Sequence, residues 1–218
     1  MKFNKITIVI LVILFASCTL QPFDDDNTVT VVEETYITEE STLFENTDTT
    51  NKFTFKTNDT YYLNDYGYTI WTISETNPTD SFNPISVRVS KQGGRKEAGF
   101  GIILCHQMIN DKPYMLTVLI NTNGLYAIGK VVNGVFYHVN GGWKNSSYIN
   151  RGYGVKNDIN ISYDNINKHF ILNINGYDIT TFTVAENIVF KNSKSGFVVV
   201  IATNENFPNS PVMVTFEK

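Results

Sequence analysis

Residues 159–184, INISYDNINKHFILNINGYDITTFTV, decide the fold class of this chain. Apolar and polar side chains alternate in Ile159–Tyr163 and again in Phe170–Ile174, which is the two-residue period of a strand with one buried face. Asn175-Gly176 follows directly, and Asn-Gly favours tight hairpin turns because both residues tolerate positive φ angles. With a third strand predicted at Ile179–Val184, the stretch indicates consecutive antiparallel strands.

The same pattern extends outward through the rest of the chain. Alternation predicts strands at Tyr68–Ile73 and Ile85–Ser90, whereas the more continuous apolar runs Gly99–Cys105 and Tyr114–Ile120 predict central strands. Further strands are predicted at Gly196–Ala202 and Val212–Phe216. Further Asn-Gly turns are predicted at Asn123-Gly124, Asn133-Gly134 and Asn140-Gly141. No stretch after residue 52 keeps a helical period, so we expect an all-β sandwich or barrel.

The second half of the chain resembles a known family of sandwiches. Gly142-Trp143 and Gly152-Tyr-Gly154 precede the strand at Ile159–Tyr163, and Ser195–Val198 follows the hairpin. This order is similar to that of the concanavalin A-like lectin/glucanase (laminin G-like) jelly rolls. The resemblance implies an antiparallel two-sheet jelly-roll sandwich over residues 53–218, in which Val212–Phe216 pairs near the N-terminal strand. It carries no particular activity, because turns and core positions are common to many functions.

The first residues of the chain have the features of an export signal. Lys2 and Lys5 precede an apolar run from Ile6 to Phe15, and Ala16-Ser17-Cys18 follows. A charged start, a short apolar run and small residues define a secretory signal peptide, here residues 1–17. The cysteine resembles the lipobox cysteine of bacterial lipoproteins, which implies lipidation at Cys18 and a membrane anchor in the cell envelope, facing away from the cytoplasm. An ordinary signal peptide is the alternative.

Charge separates residues 18–52 from the rest. The segment after Cys18 carries nine acidic side chains and one basic one, Lys52, among many threonines, which is typical of a solvated tether. Within it, Thr28–Thr38 is β-branched enough to form a strand that pairs with the domain. Residues 53–218 hold twelve acidic and fourteen basic side chains, a balance that does not indicate nucleic-acid binding.

The sequence offers no recognisable catalytic, metal or cofactor motif. Glucanases of the resembled superfamily use Glu-x-Asp-x-x-Glu on one strand, and this spacing does not occur here. The histidines, His106, His138 and His169, lack metal-ligand spacing, and Asp111 has no concentrated set of carboxylates around it for calcium. We therefore expect no enzyme activity, no metal and no cofactor. Cys105 lies in an apolar run and is predicted to be a buried, inert thiol.

Aromatic residues are the remaining candidates for a site. Trp143, Tyr148 and Tyr153 cluster around a Gly-rich segment with Asn145, and flat rings beside amides suit the C–H face and hydroxyl rim of a sugar. The alternative is that Trp143 packs over a sheet edge. The sequence thus predicts a membrane-anchored lipoprotein whose sandwich binds a ligand, carbohydrate first and protein second. A structural role in the envelope and glycan hydrolysis compete with this interpretation.

Overall fold

Residues 33–35, 37–46, 51–133 and 135–218 are described by a computed structural model of the chain. The signal peptide predicted at 1–17 and the lipidation site predicted at Cys18 lie outside these residues. Within the described part, no helix has the length and apolar character needed to cross a membrane. The only helical element there is one short 3-10 turn, Thr60–Tyr62, so the predicted all-β class is confirmed.

Sixteen strands are described. The first eight are β1 (Glu33–Thr35), β2 (Ile37–Glu40), β3 (Phe44–Asn46), β4 (Lys52–Thr57), β5 (Tyr68–Thr76), β6 (Ile85–Gly93), β7 (Phe100–Ile109) and β8 (Lys112–Ile120). The remaining eight are β9 (Leu125–Val132), β10 (Val135–His138), β11 (Lys144–Asn145), β12 (Asn157–Asp164), β13 (His169–Ile174), β14 (Tyr177–Phe182), β15 (Lys194–Ile201) and β16 (Val212–Glu217). Every strand predicted from the sequence is present, although β3, β4, β9, β10 and β11 were not predicted individually.

The strands form two sheets. One has nine strands in the order β1-β10-β9-β8-β7-β15-β5-β2, with β11 also paired to β9. The other has seven strands in the order β14-β13-β12-β6-β16-β4-β3. All pairings in the described ranges are antiparallel except the edge pairing of β2 with β5. β16 pairs with β4 as the resemblance implied, and the predicted two-sheet sandwich is confirmed.

The core lies between the two sheets. Phe197 on β15 stacks on Phe216 on β16, with ring centroids 4.6 Å apart, and Phe53 contacts Phe197 at 5.0 Å. On β6 the inward positions are Val87, Val89 and then Lys91, all of them buried. The interior row of β6 thus ends in a charged side chain, which the sequence pattern did not predict.

The nine-stranded sheet is also buried on its outer face. A second apolar cluster there consists of Trp71, Ile103, Met115, Leu119, Val131, Phe136, Val198 and Val200, with Ile73 and Trp143 packed against it. Strands buried on both faces read as continuous apolar runs, which explains the sequences of β7 and β8. The outer face of this sheet is therefore where a site with an apolar floor can form.

Edge strands come from the segment predicted to be a tether. β1 pairs with β10, β2 pairs with β5, and β3 pairs with β4, so both sheets receive strands from residues 33–46. Strand pairing in the described chain thus begins well before residue 53. The β-branched stretch Thr28–Thr38, which the sequence indicated as a strand that pairs with the domain, overlaps β1 and β2.

Candidate ligand-binding pocket

A cavity of about 630 Å³ opens on the outer face of the nine-stranded sheet. This volume lies within the usual range of small-ligand sites, about 300–1,000 Å³. Its lining residues come from four strands and the loops around them: Asp65, Tyr66, Thr69, Glu97, Ala98, Gly99, Thr117, Leu119, Phe136, Trp143, Val200, Ala202, Thr203 and Asn204. The floor is mostly apolar and the rim is mostly polar, an arrangement that suits a ligand with both kinds of surface.

Trp143 reaches this pocket because an edge strand is interrupted. β10 and β11 pair with the same side of β9: β10 lies opposite residues 129–132 and β11 lies opposite residues 125–126. Residues 139–143, between β10 and β11, loop out from the sheet edge. The side chain of Asn140 accepts a hydrogen bond from the Ile128 amide at 3.1 Å, which replaces a missing strand partner. Asn140-Gly141, predicted as a hairpin turn, is instead part of this excursion, and that prediction is wrong.

A glycine makes room for the Trp143 ring on the sheet. A Cβ atom at Gly99 would lie 3.0 Å from Cη2 of Trp143 and 3.2 Å from Cδ1 of Leu119, both closer than ordinary contacts. The absence of a side chain therefore lets the indole lie close to the backbone of the sheet while one part of it faces the cavity. Trp143 is partly buried, so packing on the sheet and facing a ligand site are combined in one residue.

Thr117 lies beneath the floor of the pocket. Its side chain points outward from β8 between Met115 and Leu119 and is 0% exposed. Its Oγ1 has no hydrogen-bond partner among the described residues. A buried polar atom without a partner costs about 1–3 kcal/mol, so this hydroxyl destabilises the sheet beneath the pocket.

One wall of the pocket is the β6–β7 loop, residues 94–99, and a buried lysine holds it. Lys91 Nζ donates to the carbonyl oxygens of Arg95, at 2.6 Å, and Ala98, at 2.9 Å. Burial lowers the pKa of Lys91 to about 8, while Glu205 and Glu97 oppose the shift. The ammonium is therefore charged at neutral pH and fixes two carbonyls of the wall from inside the sandwich.

The same loop is bound to the facing wall. Both carboxylate oxygens of Glu205 accept from the Arg95 amide at 3.0 Å, and the Arg95 guanidinium donates to the carbonyl of Asn204 at 2.7 Å. Thr122 donates to the carbonyl of Lys96 at 3.1 Å. Because the neighbouring residues Arg95 and Lys96 are tied to two different strand connections, the pocket wall is preorganised rather than formed on binding.

The turn at residues 64–67 brings Asp65 and Tyr66 to the pocket. The side chain of Asn64 accepts from the amides of Tyr66, at 2.7 Å, and Gly67, at 2.8 Å, which closes the turn. The turn leaves Tyr66 60% exposed in the lining of the cavity. The pocket therefore has two aromatic rings, an exposed phenol and a partly buried indole, that can pack against a ligand.

The structure separates the four residues predicted as ligand contacts. Only Trp143 lines the pocket. Tyr148 stacks on Tyr177 at 4.2 Å near the end of the seven-stranded sheet, and Asn145 accepts from Arg151 at 3.0 Å. The hydroxyl of Tyr153 donates to the carbonyl of Gly94, so Tyr153 contacts the wall loop from its outer side.

Most of the pocket's polar residues were missed by the sequence analysis. Thr117 lies in an apolar run that predicted only a buried strand, and Glu97 lies in a loop without any motif. Asp65 and Tyr66 lie in the turn before the predicted strand Tyr68–Ile73 and belong to no motif. Strand alternation assigns a side chain to a face, but it does not say which distant loops border that face.

Titratable groups elsewhere in the described chain are not assembled for chemistry. No group of three or more His, Cys, Asp or Glu side chains in the described ranges is placed to hold a metal ion. His106 lies against Trp71 at 5.1 Å, and burial lowers its pKa. Cys105 is buried as predicted, and burial raises the pKa of its thiol to about 12, which leaves it protonated and unreactive.

Comparison with known proteins supports the fold. No family model and no curated protein matches the sequence. A structure titled as a native glycosidic hydrolase aligns with TM-score 0.51 at 8% identity, covering 88% of this chain and 91% of that one. Carbohydrate binding module CBM66 from Bacillus subtilis gives TM-score 0.44 at 13% identity, covering 66% and 78%, and sheep galectin-11 gives 0.40 at 8%, covering 68% and 96%. At such low identity the alignment with the glycosidic hydrolase shows a shared sandwich fold and no shared activity.

Proposed function

We propose that this protein binds carbohydrate in the pocket on the outer face of its nine-stranded sheet. The observation that carries the proposal is that the partly buried Trp143 ring and the exposed Tyr66 ring line one cavity with a polar rim. A pyranose presents a C–H face that stacks on an aromatic ring and hydroxyls that pair with polar side chains. The rim supplies further partners in Asp65, Glu97 and Asn204.

A glycan array tests this proposal directly. Residues 19–218, which lack the predicted lipidation site, are applied to the array beside the Trp143→Ala variant. Binding by the parent chain that the variant loses supports the pocket as the site. A chain that binds no glycan but captures a protein partner, or binds nothing, contradicts the proposal and favours an interaction or structural role in the envelope.

A second candidate function is glycan hydrolysis, because two carboxylates, Asp65 and Glu97, border one cavity. Retaining and inverting glycosidases use such a pair, at about 5–9.5 Å, with one acid held protonated by apolar surroundings. Both side chains are exposed here, which favours binding over catalysis. Release of reducing ends from a bound glycan, abolished in Glu97→Gln with binding retained, would instead establish hydrolysis.

Thr117→Val is expected to change stability without changing binding. Removing a buried hydroxyl without a partner should raise the free energy of unfolding by about 1 kcal/mol. Because the hydroxyl is fully buried, the substitution leaves the surface of the cavity unchanged, and glycan affinity should stay within about twofold. Urea unfolding and calorimetric titration measure the two effects. A destabilised variant, or one that loses glycan binding, would contradict this assignment.

We also propose that the protein is anchored in the cell envelope through lipid at Cys18. The support is the signal-peptide pattern before it, and two or three acyl chains would hold the protein stably in a membrane. Metabolic labelling with an alkynyl palmitate analogue is expected to mark the wild type and to fail on Cys18→Ser. The chain has one other cysteine, so Cys105→Ser is the matched control and should keep the label.

A further inference from the structure

We infer that the pocket selects uncharged or cationic sugars and disfavours acidic ones such as uronates and sulfated sugars. This inference rests on the proposed carbohydrate binding for its ligand class, but the charge preference it describes is a property of the cavity itself. The charge preference is inferred from the charged side chains at the rim and from the contacts of the neighbouring cations.

The charged side chains that line the cavity are both acidic. Asp65 and Glu97 both border it, and no Lys or Arg of the described chain contributes to the lining. An anionic ligand would therefore meet two carboxylates and no counter-charge. Proteins that bind carboxylates or sulfates usually supply Arg or Lys at the anion.

The cations closest in sequence to Glu97 are engaged elsewhere. The guanidinium of Arg95 donates to the carbonyl of Asn204 at 2.7 Å. The ammonium of Lys96 lies over the ring of Tyr153, 5.8 Å from its centroid. Of the charged side chains of loop 94–99, only that of Glu97 lines the cavity.

Three further cations do not line the cavity. Arg151 donates to the side chain of Asn145 at 3.0 Å, and Lys144 lies on β11 outside the lining. Lys91 is buried beneath the wall with its ammonium bound to two loop carbonyls. The charged groups that border the cavity directly are therefore the carboxylates of Asp65 and Glu97.

The size of the effect follows from screened electrostatics. Charges at a wet rim interact by about 1 kcal/mol at contact distance in water and by more in a partly dry cavity. Two carboxylates should therefore lower the binding affinity of an acidic sugar by about tenfold or more relative to that of its neutral form. Because the rim is open to solvent, added salt should reduce this discrimination.

Fluorescence quenching of Trp143 tests the charge preference without any glycan. Trp71, the other tryptophan, is replaced in a Trp71→Phe background so that Trp143 is the single reporter. Caesium, iodide and acrylamide serve as cationic, anionic and neutral quenchers, and acrylamide corrects for plain accessibility. We expect the quenching constant for caesium, normalised to its value for free tryptophan, to exceed that for iodide by about threefold at low salt.

Neutralising the rim should remove this asymmetry. Asp65→Asn with Glu97→Gln is expected to bring the two normalised constants together, whereas Asp178→Asn, on β14 and outside the lining, should leave the threefold difference in place. Equal quenching in the parent, or stronger quenching by iodide, overturns the inference. So does an asymmetry that survives the double substitution, because its source would then lie outside these two residues.

Matched sugars separate this inference from the proposed function. The probes are methyl-esterified and free oligogalacturonate, and N-acetylated and free-amine chitohexaose, so that each pair shares one backbone. Tighter binding of the methyl ester than of the free oligogalacturonate supports charge selection, and so does binding of the free-amine chitohexaose at least as tight as that of the N-acetylated form. Equal or tighter binding of the free oligogalacturonate overturns it. If none of these sugars and no arrayed glycan binds, the carbohydrate proposal fails, and the quenching result alone decides the charge preference.

Discussion

Replacing Lys91 with methionine is expected to lower the free energy of unfolding by about 2–4 kcal/mol at pH 7. Methionine fills a similar volume but leaves the carbonyls of Arg95 and Ala98 without their donor. Each unsatisfied buried carbonyl costs about 1–3 kcal/mol, and Glu205 also loses a nearby positive charge. Relief of the lysine's own desolvation offsets part of this loss, which is why the expected value lies below the full sum.

The wild type should also change in stability with pH in a way that the variant does not. The pKa of Lys91 is about 8 in the fold against 10.5 for the free side chain, so the folded state releases the proton first. Below pH 8 both states are protonated and this residue adds no pH dependence. Between pH 8 and 10.5 the unfolded state binds more protons, and stability from Lys91 rises by about 2 kcal/mol by pH 9.5.

Chemical denaturation of both proteins at pH 7 and pH 9.5 measures this difference. Lys156→Met is the control, because Lys156 forms an exposed ion pair with Glu217 at 3.1 Å and should contribute less than about 1 kcal/mol. Faster amide exchange in residues 94–99 of Lys91→Met would locate the loss in the pocket wall. A variant as stable as the wild type at pH 7, with unchanged exchange in the loop, would contradict the role given to Lys91.

Replacing Trp143 with alanine is expected to abolish detectable glycan binding. The indole is an aromatic ring in the lining of the cavity, and stacking on an aromatic ring contributes about 1–3 kcal/mol even for the flat bases of nucleic acids. The stability cost should be about 1–2 kcal/mol, below the 3–5 kcal/mol of a fully buried tryptophan, because only part of the ring packs on Leu119 and Gly99. Melting temperature therefore falls modestly while binding is lost.

Tyr148→Ala is the matched control for this substitution. Tyr148 is an aromatic residue from the same Gly-rich region and is 46% exposed, but it stacks on Tyr177 and does not line the pocket. The control should keep its glycan affinity within about twofold. If Tyr148→Ala loses binding and Trp143→Ala keeps it, the site lies on the Tyr148–Tyr177 surface and the pocket assignment is wrong.

Local sequence determined the strands of this protein. Alternation within Ile159–Tyr163 and Phe170–Ile174, and the Asn175-Gly176 turn between strands, depend on neighbouring residues alone, and the structure has β12, β13 and β14 there. Continuous apolar runs likewise predicted β7 and β8, because a strand buried on both faces needs no polar positions. β9 was missed because its glycine and lysine, Gly129 and Lys130, interrupt that pattern.

The candidate pocket depends on contacts between residues far apart in the chain, and these were decided by the tertiary structure. Trp143 was selected from the sequence as an aromatic residue of a Gly-rich segment with Asn145, yet its position over Gly99 requires β10 and β11 to share one partner strand. Lys91 continues the inward row of β6, and only the loop that closes over it explains a charge there. Periodicity specifies the face of a sheet, whereas long-range pairing decides which loops meet above it.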